Sequence, residues 1–184
     1  PGLPGRRGRG LNTKAPYNIA PNRDRLFATH HTGTGAATTI TFAGYSAIKS
    51  ALIAWGDSYG YNFSASTAAG VDPKGVNGFS AEGMVFGPDS TTLWIGLRAP
   101  LVPTATRTNA VLAPILNFEA WFNNGNQTGA PTFGPPIELD LNLNGIRDII
   151  RLSNGTYIII AGSPLDNAGS NEIYKWTGNP ADAP

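Results

Sequence analysis

Two segments of this chain share one form. EGMVFGPDSTTLWIGLRAP (82–100) and GIRDIIRLSNGTYIIIAGSP (145–164) each run as an apolar strand, a polar turn, a threonine, a second apolar strand, small residues and a proline. A third, weaker copy is NIAPNRDRLFATHHTGTG (18–35). Short apolar runs broken by Gly, Pro, Asn and Asp suit antiparallel strands joined by tight turns, and they leave little room for long helices. A form repeated along the chain predicts a blade-like unit used several times, since repeats of this kind stack to bury a common core.

The remaining runs fit the same scheme. LFAT (26–29) and TTITFAGY (38–45) flank a glycine-bearing turn, HHTGTGAA; NAVLAPIL (109–116), IELDL (137–141) and EIYKWTG (172–178) read as further strands. SAIKSALIAWG (46–56) carries apolar residues at near-helical spacing and predicts one short helix over 46–55, opened by Ser46 and stopped by Gly56. Residues 57–78 read as a polar loop with three aromatics, and 117–136 as a loop with a helical turn at its start. Residues 1–22 have no apolar periodicity and read as a solvated linker or arm; the alternative is a basic arm, through Arg6, Arg7 and Arg9, for an anionic partner.

Charged residues are only 14% of the 184, while Gly numbers 23 and Pro 15, a balance that favours a turn-rich all-β protein and leans towards exported proteins. A formal net charge of +1 gives no long-range field for nucleic acid or an anionic membrane. The absence of cysteine excludes disulfides, thiolate nucleophiles and Cys-based zinc sites. No run reaches the roughly 18 apolar residues of a spanning helix. A chain that opens PGLPGRRGRG, without Met, is expected to be a piece of something longer.

With GFSAEGMVF…LWIGLRAPLVP, IELDL…GIRDI and IIIAGSP…IYKWTGNPADAP in order, residues 20–184 resemble a bacterial family of exported proteins grouped with the phytase-like and esterase-like β-propellers. The carriers are an "EG" strand, a "GLRAP" strand end, a "GIR" strand start and a closing "WTG". The sequence departs from that family where LNLNGIRD replaces a glycine-rich stretch. The resemblance implies a propeller of six or seven blades in an intact protein, an extracytoplasmic location and no assigned reaction. A chain of this length holds three or four blades with long loops, so residues 23–184 are expected to be a propeller fragment, completed by other chains or by missing blades of the same parent.

Three constellations carry chemistry. Glu82, Arg98, Arg147 and Asp148 stand at strand ends; on the repeat alignment the two arginines share one end of the channel. Two guanidiniums with a carboxylate between them suit a phosphate or carboxylate ligand, with Glu82 or Asp148 as base or metal ligand. The same residues equally suit a structural ion pair that ties neighbouring blades together. Asp140, Asn142, Asn144 and Asp148 match positions one, three, five and nine of a calcium loop, with Gly145 at six, making calcium the candidate cofactor. Arg151 occupies the twelfth position, where an acid is expected, and a strand-turn-strand explains the same letters. His30 and His31, adjacent on a strand, point to opposite faces and read as a polar strand end rather than a metal site. Trp94 and Trp176 are expected in the core, with Trp121 and the loop tyrosines freer. Two functions follow: an exported binding and assembly module, or a phosphate- or carboxylate-ester hydrolase that uses the channel-end residues.

Overall fold

The computed structural model describes residues 25–122, 129–165, 169 and 171–184. The described residues are mostly β, with nine strands in three antiparallel sheets. The first sheet is a hairpin of β1 (Arg25–Thr32) and β2 (Thr39–Ala47). The second is a meander of β3 (Ser80–Phe86), β4 (Leu93–Ala99), β5 (Ala110–Ile115) and β6 (Ile137–Leu139), hydrogen-bonded in chain order. The third is a meander of β7 (Gly145–Arg151), β8 (Tyr157–Gly162) and β9 (Glu172–Trp176). Every strand read from the sequence is present. The arm read over residues 1–22 lies outside the described residues.

The helical content differs from expectation. The predicted helix forms three residues later than its letters suggested, as α1 (Lys49–Ser58), with Ile48 at its N-cap and Gly56 inside it. Gly56 is required there because a Cβ would stand 2.1 Å from the Phe63 ring. Two single-turn helices join it, α2 (Phe63–Ser66) within the expected loop and α3 (Phe118–Trp121) where a helical turn was read. Among the described residues, no helix is long and apolar enough to cross a membrane.

These helices matter because they cover one face of the second sheet. Leu93, Ile95 and Leu97 of β4, with Val111, Ala113 and Ile115 of β5, share a core with Leu52 and Trp55 of α1, Phe63 of α2, Trp121 of α3 and Leu26 of β1. The alternate residues, Trp94 of β4 with Ala110 and Leu112 of β5, face the third sheet instead, against Ile146, Ile149, Tyr157, Ile159 and Trp176. The second sheet is therefore buried on both faces. That is why β4, apart from Arg98, and β5 are apolar and lack the alternation of a half-buried strand.

The third sheet seats on the second through missing side chains. Gly83 and Gly96 are directly paired across β3 and β4, and a Cβ on either would come within 2.7 or 2.9 Å of Ile146 Cγ2. Ile146 thus fills a hole that only two glycines leave open. Gly145, one residue earlier, brings β7 so close to β4 that a Cβ there would stand 1.9 Å from the Arg98 carbonyl oxygen. Further along, Trp94, Tyr157 and Trp176 form a ring cluster with centroids 5.3–5.6 Å apart, and the Tyr157 hydroxyl donates to the Phe86 carbonyl across the sheets. Trp94 and Trp176 are core, as expected. Trp121 and Tyr61 are buried too, contrary to expectation, because α1–α3 fold their loops over the second sheet; Tyr59 is the exposed ring.

Candidate functional site

Glu82, Arg98 and Arg147 meet at one end of the stacked sheets. Each was read as flanking or opening a strand; in the structure each lies inside one, at a break in register. Ala81 pairs with Leu97 and Gly83 with Gly96, which leaves Glu82 as the extra residue of β3. Ser80 pairs with Ala99 while Ala81 pairs with Leu97, which leaves Arg98 as the extra residue of β4. Ile146 pairs with Ala161 and Asp148 with Ile160, which does the same for Arg147 on β7. An extra residue in a ladder bends the strand and re-aims its side chain. Three such bulges at one level turn three charged side chains towards a common point instead of into the apolar layers.

The carboxylate of Glu82 bridges the two guanidiniums. Arg98 Nη1 lies 3.4 Å from Oε1 and Arg147 Nη1 lies 3.5 Å from Oε2. The other terminal nitrogens donate to the chain leaving β8: Arg98 Nη2 to the Leu165 carbonyl at 2.7 Å, and Arg147 Nη2 to the Ser163 carbonyl at 2.6 Å and the Leu165 carbonyl at 3.4 Å. The Leu165 N–H donates to the Ser163 hydroxyl, a local turn that presents both carbonyls to the arginines. Gly162 makes room for this, since a Cβ there would stand 3.1 Å from Arg147 Nε and 2.2 Å from the Asn171 amide oxygen. The Arg98 side chain is 1% exposed, Glu82 10% and Arg147 23%. The cluster ties β3, β4 and β7 to the segment after β8 and is nearly sealed on its Arg98 side.

Asp148 does not join it. Its side chain is exposed and its Oδ1 accepts the Ile149 N–H, so the expected four-residue set contracts to three, with Glu82 as its remaining carboxylate. The reason is the bulge at Arg147. It lets Ile146 and Ile149 both face inwards and sends Asp148 to the outer face of β7.

The calcium loop does not form either. The Asn144 N–H closes a turn onto the Leu141 carbonyl, with Asn142 and Leu143 both at positive φ, and β7 starts at Gly145. Positions nine and twelve, Asp148 and Arg151, therefore stand on a strand. Asp140 Oδ1 accepts the Asn142 N–H, the Asn144 amide reaches Glu172, and Arg151 crosses to the Gly87 and Pro88 carbonyls and the Ser90 hydroxyl. Gly145 serves the contact with Arg98 rather than a ligand loop. Among the described residues no three His, Cys, Asp or Glu side chains gather as a metal cluster. His30 and His31 lie exposed on β1.

A second feature stands on the far side of the third sheet. Its inner face is buried on the second sheet, while Ile150 (51%), Ile160 (36%) and Ile173 (74%) are exposed on its outer face. This face has no covering element among the described residues. The sequence held a signal for it: beside Asp148 and Lys175, four of the outward positions on β7, β8 and β9 are isoleucine, more apolar surface than a solvated sheet face ordinarily carries.

No protein-family profile, no curated protein and no solved structure matches the chain.

Proposed function

We propose that this chain is an exported assembly module, built of propeller-type blades, that binds another protein surface through the outer face of its third sheet. The observation that carries the reading is that face: isoleucines stand at outward positions on all three strands, whereas the neighbouring second sheet is packed on both faces. A soluble protein rarely leaves a contiguous apolar sheet face to water unless a partner covers it. The blade reading is supported by two sheets that each follow chain order as a meander and stack face to face. The exported location rests on the low charge content and on the resemblance.

The ester-hydrolase reading has less support. Glu82 is held between two arginines, Asp148 faces away, and the arginines already donate to carbonyls. The arrangement suits a clasp between sheets.

The experiment is native mass spectrometry of the chain isolated gently from its source, beside an Ile160→Lys variant. A complex that contains the natural chain and loses the variant is the expected result. A natural chain that is free under those conditions and monomeric up to millimolar concentration overturns the assembly reading.

A further inference from the structure

We infer that the partner for the outer face of the third sheet is a second copy of this chain, docked about a twofold axis. The inference rests on the assembly reading above and names its occupant. The argument comes from register. Ile150 pairs with Ile158, which pairs with Lys175; one row along, Asp148 pairs with Ile160, which pairs with Ile173. Four isoleucines thus form a continuous apolar centre across β7, β8 and β9. Asp148 stands at one corner of it and Lys175 at the corner diagonally opposite. Both are exposed, and neither has an ion-pair partner among the described residues.

That layout is complementary to itself. In a twofold dimer formed face to face, the axis lies in the plane of the contact, and the same patch serves both copies. An axis that crosses the Asp148–Lys175 diagonal at right angles sets Asp148 of each copy opposite Lys175 of the other. Two ion pairs then close over a shared layer of isoleucine. The strands of the two copies cross steeply, as in orthogonal sheet packing.

The size of the face sets the strength. Three strands ~4.8 Å apart and about five residues long, at ~3.3 Å each, give a face roughly 15 Å by 17 Å. A stable interface buries about 800 Å² on each partner, so this contact is reversible, with a dissociation constant expected at roughly micromolar or weaker.

Sedimentation equilibrium of the 184-residue chain across micromolar to millimolar concentration tests this, with circular dichroism to verify each variant's fold. The natural chain should show a monomer–dimer equilibrium, and Ile160→Lys should weaken it at least about tenfold, since a desolvated charge then faces apolar surface. Asp148→Lys and Lys175→Asp should each weaken self-association by a similar factor, because each sets like charges opposite one another twice. Mixed in equal amounts, the two variants should associate again, as each restores both ion pairs of the heterodimer. A natural chain that stays monomeric, or dimers indifferent to Ile160→Lys, overturns the second copy as occupant. So does a mixture that fails to recover. Should the natural chain still be recovered from its source in a complex that Ile160→Lys disrupts, the assembly reading stands with a different protein on the face; should it be free there as well, both fail.

Discussion

Replacing Glu82 with alanine should lower the stability of this chain by about 3 kcal/mol. Removing one partner of a buried ion pair typically costs ~3–5 kcal/mol, because the remaining charge keeps its desolvation penalty; an exposed pair is worth only ~0–1 kcal/mol. Both regimes meet at Glu82. Arg98, with its side chain 1% exposed, belongs to the first, while Arg147, at 23%, is partly relieved by water. The contacts with the guanidiniums are long, at 3.4 and 3.5 Å, which places the sum at the lower end of the buried range. With a urea m-value of ~2 kcal/mol/M for a domain of this size, the midpoint should fall by ~1.5 M. The transition can be followed by the fluorescence of Trp94 and Trp176, which sit in the core that the clasp closes. Arg147→Ala, which leaves Glu82 with Arg98, should cost only about 1 kcal/mol. The double variant Glu82→Leu/Arg98→Met should be less destabilised than Glu82→Ala alone, since it removes both buried charges together. A midpoint shift under about 0.5 M for Glu82→Ala would refute the claim that this carboxylate holds the sheets together.

Three further outcomes follow from the packing and the polar contacts. Gly145→Ala places a Cβ against the Arg98 backbone, which cannot swing aside as a side chain can, and should destabilise by about 1–3 kcal/mol or more in the same urea assay. Burial tends to raise the Asp89 carboxyl, but hydrogen bonds from the Thr92 hydroxyl and the Thr92 and Thr91 N–H groups outweigh it and hold the group at about 2, against 3.8 unperturbed. A lowered pKa adds stability above the unfolded value that is lost as pH falls through the folded one; thermal melting of the natural chain and of Asp89→Ala should therefore differ above pH 4 and converge as pH drops towards 2. The Tyr174 phenol, which donates to Glu172, is pushed up to about 12, first by that hydrogen bond and then by burial. Its contribution should be complete below pH 10 and vanish through pH 12, so Tyr174→Phe should lose the alkaline step seen for the natural chain by phenolate absorbance and melting.

The strands were legible because their punctuation is local. The turns GPDS and SNG sit between apolar runs, and no distant contact is needed to see them. The triad was legible as residue types but not as geometry. Charges inside apolar runs were read as strand ends, whereas in IRDII the inward residues Ile146 and Ile149 fall three apart, a break in period two that marks a bulge. That break was the available signal for Arg147 and for the outward turn of Asp148. The calcium pattern misled because Asp, Asn and Gly serve tight turns as readily as they serve a cation; Gly145 answers to a backbone on another sheet. The burial of Tyr61 and Trp121 depends on where α1–α3 settle, a tertiary outcome that no local window carries.

The turn from Leu141 to Asn144 has a topological consequence. Everything before it in the second sheet is paired in chain order, and so is everything after it in the third, so this short link is the covalent crossing between the two meanders. Asn142 and Leu143 are exposed, and the contacts that unite the halves—Ile146 in its glycine hole, the ring cluster, the clasp—are all non-covalent. The molecule is thus a natural candidate for fragment complementation. Cut between Asn142 and Leu143, the two pieces retain their own hairpins and every side chain of the joint, and re-formation of the core becomes a bimolecular reaction whose yield rises with concentration.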